Sequence, residues 1–275
     1  MKAFWNRFSR SRSAVVGLAF FALVVIVALA GPRFFPGGPF QLVAKPFLAP
    51  GDGYLFGTDM LGRDVTAGLV YGARTSLVIG LTSTAIAILI GALVGGIAGY
   101  YGRWVDEALM RWTEIFQTIP FFIFAILLVA VLAPSVKSVI FAIAVVSWPP
   151  MSRLVRGEFM AMRSREFVEA CIGMGMSDAR VIFVHILPNC LSPVIVTGSL
   201  MVATAILTES ALSFLGLSDP NLMSWGFMVG AGREFLQRAP WLCAIPGAAI
   251  LLTVLAINLI GEGLSDALNP RLRQL

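Results

Sequence analysis

Long stretches without a charged side chain are the sequence feature that most limits the possible fold. The chain has 275 residues, of which 58% are hydrophobic and only 13% are charged. A soluble domain carries about 25% charged residues and rarely exposes large apolar patches. A helix of about 20 apolar residues crosses the hydrocarbon core of a bilayer. The sequence therefore predicts an all-α integral membrane protein and argues against a soluble globular domain.

Six charge-poor stretches are predicted to be transmembrane helices. They cover approximately residues 14–31, 75–101, 113–134, 138–152, 191–217 and 240–261. The fourth stretch is short and ends at Pro149 and Pro150, but six spans place both termini on one side. The first stretch also has features of a signal peptide. Its apolar run of 17 residues is longer than a typical signal-peptide core and favours an uncleaved anchor.

The distribution of lysine and arginine predicts the orientation of these spans. Thirteen of the 20 basic residues fall on the side that carries both termini, and seven fall on the other side. Cytoplasmic loops are enriched in lysine and arginine, so both termini are predicted to be cytoplasmic. The net charge of +5 is then a consequence of topology, and no nucleic-acid partner is expected.

Two segments between the spans are too long to be simple connections. The predicted extracytoplasmic loop, residues 32–74, is rich in proline and glycine, which favours turns over a second folded domain. Within it, Asp59, Arg63 and Asp64 are positioned to form local ion pairs. The predicted cytoplasmic loop, residues 153–188, mixes charges with apolar residues at helical spacing.

The cytoplasmic loop is predicted to contain two short helices. The first helix places Phe167, Ala170, Cys171 and Met174 on one apolar face, and Gly175 is a candidate for its C-terminal cap. Ser177 is a candidate N-cap for a second helix that runs toward Pro188. From periodicity alone, the first helix either rests on the membrane surface or docks into a groove on another protein.

Several motifs in this chain resemble those of one protein family. The run Glu169-Ala170-Cys171, with Gly175 and then Leu187-Pro188, resembles the Glu-Ala-Ala, Gly, Leu-Pro signature of membrane subunits of bacterial ABC importers. Further strings resemble the dipeptide, oligopeptide and nickel branch: REFVEACIGMGMSDARVIFVHILPN at 165–189, LFGTDMLGRDV at 55–65, LTESALSFLGLS at 207–218, SWGFM at 224–228 and the tail at 239–273. The type that the chain resembles most is the second, "C" permease of a dipeptide importer.

The resemblance implies a type I ABC importer permease fold in the bacterial inner membrane, with a cytoplasmic coupling helix. Its implied partners are a homologous second permease, two ATPase subunits that use ATP and Mg²⁺, and an extracytoplasmic substrate-binding protein. This chain would then be non-catalytic, would hold no cofactor and would lie in the lipid bilayer. The implied substrates are peptides, with nickel, glutathione or opines as alternatives within the same family.

Several site residues follow from the resemblance. The residues expected to couple to an ATPase are Arg165, Glu166, Phe167, Glu169, Ala170, Cys171, Met174 and Gly175. The signature has alanine at the position of Cys171, and Gly173 lowers helix propensity by up to ~1 kcal/mol relative to alanine. A docked binding protein is an alternative partner for Asp59, Arg63 and Asp64.

For the remaining residues, the sequence allows both a structural and a functional role. Small residues recur every four positions along the second span at Ser83, Ala87, Gly91, Gly95 and Gly99, which predicts close helix packing against an internal or a sister-subunit helix. Glu209 is an acidic residue within the predicted fifth span. Intramembrane charge is costly, so Glu209 is expected either to hydrogen-bond within the bundle or to contact the substrate pathway or gate.

Two other classes of function compete with the importer subunit. A self-contained secondary transporter places ionisable groups near the bilayer midplane, often within inverted repeats, and no repeat is visible in this sequence. A membrane-embedded enzyme is disfavoured because no nucleophile, base and orienting group cluster in the sequence. The sequence has no phosphate-binding loop, and its three separated cysteines and single histidine do not match a metal site, so no metal is expected.

Overall fold

The computed structural model of this chain describes residue 5 and residues 8–268. The basic residues Lys2, Arg7, Arg271 and Arg273, which contribute to the predicted orientation, lie outside the described residues. The side of the membrane on which each terminus lies therefore stays a prediction.

The described chain is built from helices. They are α1 (Arg12–Ala30), α2 (Val65–Tyr101), α3 (Arg103–Thr118), α4 (Phe121–Leu132), α5 (Val136–Arg163), α6 (Glu166–Gly173), α7 (Leu187–Phe214), α8 (Trp225–Gly232) and α9 (Trp241–Leu268). Five continuous helical segments are long and apolar enough to cross a membrane, and α3 with α4 forms a sixth candidate that is bent by 82°. The all-α membrane fold predicted from the sequence is confirmed.

Helices α2 and α5 begin or end well outside the spans predicted from the sequence. Residues 65–74, assigned to the outer loop, form the first turns of α2, because the Asp64 carboxylate accepts a hydrogen bond from the Thr66 amide and caps the helix. Residues 153–163, assigned to the cytoplasmic loop, continue α5 through Pro149 and Pro150. Membrane helices tolerate internal proline because neighbouring groups can satisfy the freed backbone.

The predicted third span, residues 113–134, is broken. Helix α3 ends at Thr118, Ile119 is extended, and α4 begins after Pro120. The residue before a proline is driven out of the helical region, which explains the break. Helix α4 alone has 12 residues, about 18 Å of helix, so it needs α3 to complete a crossing.

The second predicted helix of the cytoplasmic loop does not end at Pro188. One turn at Asp178–Arg180 and a π-helical turn at Val181–Ile186 lead directly into α7. Pro188 lies in the first turn of α7, directly after the π-helical turn. The side-chain amide of Asn189 donates to the His185 carbonyl at 2.7 Å and satisfies that acceptor within the junction.

The two ends of α2 define the two ends of the bundle. At its start lies the irregular loop of residues 35–64, held by isolated β-bridges that join Leu42 to Arg63 and Thr58 to Asp64. At its end lies α6. We call these the loop end and the α6 end. The bundle core between them is formed mainly by α2, α5, α7 and α9.

Candidate functional site

Helix α6 is short and well defined at both ends. Glu166 and Glu169 lie in its first turn, where negative charge is stabilised by the helix dipole. Gly175 has φ of +76°, and its amide donates to the Ile172 carbonyl while the Met176 amide donates to the Cys171 carbonyl. This is the Schellman arrangement, and the expected cap at Gly175 is present.

Helix α6 has one buried side and one exposed side. Val168 is 0% exposed and Cys171 is also buried, so this side packs inside the protein. Phe167 and Met174 are 45% and 68% exposed, and Ala170 is exposed as well. Of the four residues predicted to share one apolar face, Cys171 packs into the bundle beside Val168, whereas Phe167, Ala170 and Met174 are exposed and available to a partner.

The buried side of α6 is continuous with the bundle core. Val168 and Cys171 belong to one apolar cluster with residues of α2, α5, the π-helical turn and α7. Its members are Tyr100, Met151, Val155, Phe159, Val168, Cys171, Val181, Ile186, Cys190 and Val194. Since protein interiors are close-packed and transmit displacement, a movement of α6 must displace these helices.

Two polar contacts join Tyr100, at the end of α2, to the chain on either side of α6. The Tyr100 hydroxyl donates a 2.7 Å hydrogen bond to Asp178 Oδ1. The Arg163 guanidinium lies 5.3 Å from the centre of the Tyr100 ring, within the range of a cation–π contact. Neither partner of Tyr100 could be found from the sequence, because Asp178 lies 78 positions away and no periodic signal joins the two.

The glycine stripe of α2 packs against α5. A Cβ atom on Gly91 would lie 2.7 Å from Met151 Cβ, one on Gly95 would meet the Ser152 carbonyl oxygen, and one on Gly99 would lie 2.6 Å from the Arg156 carbonyl oxygen. Only glycine permits this approach of the two backbones. The partner of the stripe, left open by the sequence, is therefore an internal helix.

Helix α3 is held against α5 by an ion pair that the sequence did not reveal. The Arg156 guanidinium contacts both carboxylate oxygens of Asp106, with 2.6 Å between Nη2 and Oδ2. Paired N–H···O bonds of this kind combine charge with fixed geometry. The partners lie 50 positions apart, which hides the pair from any local sequence pattern.

Glu209 is buried within the bundle near the loop end. It is 1% exposed, and its carboxylate accepts hydrogen bonds from Ser213 at 2.8 Å, Ser224 at 2.7 Å and Ser76 at 3.3 Å. Ser76 also accepts from the Trp225 amide. The carboxylate thus joins α2, α7 and the start of α8. This geometry supports a bracing role, and a place for Glu209 in the pathway or gate stays a prediction.

The outer-loop residues Asp59, Arg63 and Asp64 are engaged locally. Asp59 Oδ1 accepts from the amides of Leu61 and Arg63, and its Oδ2 lies 4.0 Å from Arg63 Nε. The Arg63 guanidinium also lies 5.0 Å from the centre of the Phe40 ring. Asp64 caps α2 and is not part of the ion pair. Contact of this group with a binding protein stays a prediction.

Residues able to hold a metal ion do not converge in the described part of the chain. Among residue 5 and residues 8–268, no group of three histidine, cysteine, aspartate or glutamate side chains has the required proximity. Cys171, Cys190 and Cys243 are free thiols.

Comparison with protein families gives two matches. Residues 91–274 match the family described as binding-protein-dependent transport system inner membrane component. Residues 1–52 match the N-terminal transmembrane domain of oligopeptide transport permease C. Together the two matches cover all of the chain except residues 53–90 and residue 275.

Individual relatives match over almost the full length. The dipeptide transport system permease protein DppC of Alkalihalophilus pseudofirmus is 40% identical over 271 residues, covering 98% of this chain and 89% of the relative. The di/tripeptide transport system permease protein DppC of Pseudomonas aeruginosa is 40% identical over 281 residues, covering 99% and 93%.

Solved structures share the fold at low sequence identity. An inward-facing MetNI methionine ABC transporter chain aligns with a TM-score of 0.58 and 18% identity, covering 70% of this chain and 93% of that chain. A chain of an amino acid ABC transporter crystallised with histidines aligns with a TM-score of 0.57 and 14% identity, covering 76% and 95%.

Proposed function

The chain belongs to the family of binding-protein-dependent transport system inner membrane components, and from this premise we propose that it is the membrane-spanning subunit of an ATP-driven peptide importer. Relatives named for dipeptide and di/tripeptide transport support the substrate class. The observation that carries the proposal is the two-sided packing of α6. Phe167 and Met174 face outward while Val168 and Cys171 are anchored in the bundle.

The outward side of α6 is suited to engage an ATPase subunit. Its exposed apolar residues would enter a groove on the ATPase, and Glu166 and Glu169 would contact polar groups at the groove edge. When ATP closes a pair of ATPases, two such helices would be drawn together. The apolar cluster around Val168 and the Tyr100–Asp178 hydrogen bond would transmit that displacement to α2, α5 and α7.

The full transporter would contain further chains. A homologous second permease would complete the pathway, two ATPases would bind and hydrolyse ATP with Mg²⁺, and a substrate-binding protein would dock at the loop end. This chain would itself perform no catalysis. ATP binding and hydrolysis would bias a two-state membrane element that opens alternately to either side.

The proposal is tested by ATP-dependent uptake of a radiolabelled dipeptide into proteoliposomes that contain all subunits and the binding protein. The parent complex is expected to accumulate the dipeptide, whereas Glu169→Lys and Gly175→Pro are expected to insert normally and to abolish uptake. Parallel assays with nickel, glutathione and an opine distinguish the alternative substrates. Uptake driven by an ion gradient without ATPases would instead support a secondary transporter.

A further inference from the structure

Helix α3 has an exposed surface that is divided lengthwise by polarity. Viewed down the axis, Asp106, Leu109 and Thr113 face the bundle, and the exposed remainder has two neighbouring sectors. The polar sector contains Glu107, Arg111, Glu114 and Thr118, and the apolar sector contains Trp104, Ala108, Trp112 and Ile115. Within a bilayer, charged side chains on a helix are energetically costly unless water or a polar ligand faces them.

The polar sector rises from the α6 end toward the middle of the bundle. At its lower end, Asp106 is paired with Arg156. Ten residues later, Phe116 packs on Trp148 with ring centres 5.3 Å apart, so between these contacts the chain rises about 15 Å along α3 and about 12 Å along α5. The Trp148 carbonyl in turn lies against Gly91, ten residues from the end of α2. Glu114 is therefore well inside the depth of the bundle.

An open groove of about 390 Å³ runs along this sector, formed by α3 and by Arg156 of α5. Charged side chains dominate its lining, which consists of Arg103, Asp106, Glu107, Met110, Arg111, Glu114 and Arg156. Just above it, the crossing is broken at Ile119 and Pro120, and substrate sites of transporters are often formed at discontinuous helices.

We propose that the polar sector of α3 forms a wall of the substrate pathway in its α6-side half, and that Glu107, Arg111 and Glu114 contact the charged termini of a passing peptide. Arg111 Nη2 donates to Glu107 Oε1 at 2.7 Å in an exposed ion pair, and Glu114 lies about 4.5 Å from Arg111 along the helix axis on the other side. An extended dipeptide spans about 7 Å between its ammonium and carboxylate ends. Exposed ion pairs are weak, so the peptide can replace the Glu107–Arg111 contact with contacts of its own: the guanidinium engages the peptide carboxylate, and Glu107 or Glu114 engages the ammonium. The peptide part of this inference rests on the proposed function.

The position of the sector is tested by cysteine labelling of the assembled, nucleotide-free complex in lipid nanodiscs, where both membrane faces are accessible. Single cysteines replace Glu114 or, as the matched control on the adjacent apolar sector, Ile115, in a background where Cys171, Cys190 and Cys243 are alanine. A charged methanethiosulfonate reagent is expected to label Glu114→Cys at least tenfold faster than Ile115→Cys. Equal rates, or faster labelling of Ile115→Cys, would overturn the placement.

The contact with peptide is tested separately, by dipeptide uptake in the otherwise native chain. Arg111→Glu is expected to lower uptake at least tenfold, because three acids then line the wall, while the binding-protein-stimulated ATP hydrolysis of the complex persists. Lys137→Glu makes the same charge change on an exposed residue at the loop end and is expected to leave uptake unchanged. If the parent complex transports dipeptide and Arg111→Glu transports it equally well, this inference fails; if the parent transports none, the proposed function fails.

Discussion

The hydroxyl of Tyr100 donates a 2.7 Å hydrogen bond to the carboxylate of Asp178, joining the last turn of α2 to the segment that follows α6. Tyr100 is almost fully buried, whereas its neighbour Tyr101 is exposed. The α6 region is thus connected to α2 by this hydrogen bond as well as by the apolar cluster around Val168. We expect this bond to contribute to coupling.

Tyr100→Phe removes that bond and retains the ring. A hydrogen bond to a charged group contributes about 1.5–3 kcal/mol, so we expect a modest loss of thermal stability and a larger loss of peptide taken up per ATP hydrolysed. Tyr101→Phe removes a hydroxyl from the adjacent exposed ring and is the matched control. The measurement is the uptake-to-hydrolysis ratio in proteoliposomes; an unchanged ratio in Tyr100→Phe would show that the bond is not part of coupling.

Gly95→Ala is expected to separate α2 from α5. The added Cβ would clash with the Ser152 carbonyl oxygen, which belongs to the backbone and cannot move alone. Overpacking of this kind costs about 1–3 kcal/mol. Gly157→Ala on α5 adds the same methyl group in open space and serves as the control. Thermal unfolding in detergent should show a lower midpoint for Gly95→Ala alone, and equal midpoints would refute close packing along the stripe.

Two glycines near the end of α6 should respond in opposite directions. Neither has a neighbour within 4 Å of an added Cβ, but Gly175 has φ of +76° whereas Gly173 is helical. Gly173→Ala should stabilise α6 by up to ~1 kcal/mol, and Gly175→Ala should destabilise its end by about 1–2 kcal/mol. Hydrogen exchange of the α6 amides checks both changes. Faster exchange in Gly173→Ala would contradict the helical assignment.

Glu209 is expected to act as a brace that accepts hydrogen bonds. Glu209→Leu leaves the hydroxyls of Ser76, Ser213 and Ser224 without their acceptor, and each buried unsatisfied group costs about 1–3 kcal/mol. Glu209→Gln retains an acceptor oxygen and should keep most of the stability. Glu262→Gln changes an exposed acid on α9 and is the control.

The two roles considered for Glu209 differ in their transport phenotype. A brace predicts that Glu209→Gln folds and takes up peptide within about twofold of the parent. A pathway or gate role that depends on the negative charge predicts that Glu209→Gln folds with a normal unfolding midpoint and fails to transport. Measuring both quantities on the same preparation separates these outcomes.

The sequence was most informative where the bilayer imposes strong constraints. Charge-free runs predicted the crossings because an apolar medium accepts few charged side chains, and Gly175 predicted the end of α6 because a left-handed residue is needed there. The continuation of α5 through Pro149 and Pro150 was missed, because tertiary packing decides whether a proline ends a membrane helix.

Contacts between distant segments were not predictable from local patterns. The pairs Asp106–Arg156 and Tyr100–Asp178 join residues 50 and 78 positions apart. The periodicity of α6 correctly indicated an amphipathic helix, but it could not show that Val168 faces the bundle. Which side of a short helix is buried depends on how neighbouring helices pack against it. The periodicity of a single sequence does not show that packing.

The central claim is that the exposed side of α6 is where a partner ATPase engages this chain. A photo-activatable cross-linker on Met174→Cys, in the assembled transporter with Cys243 replaced by alanine, tests it most directly. We expect a cross-linked product with an ATPase subunit, formed in higher yield than from a cysteine at buried Val168. A product formed only with lipid, with no ATPase cross-link from an assembled and transport-active complex, would contradict the account.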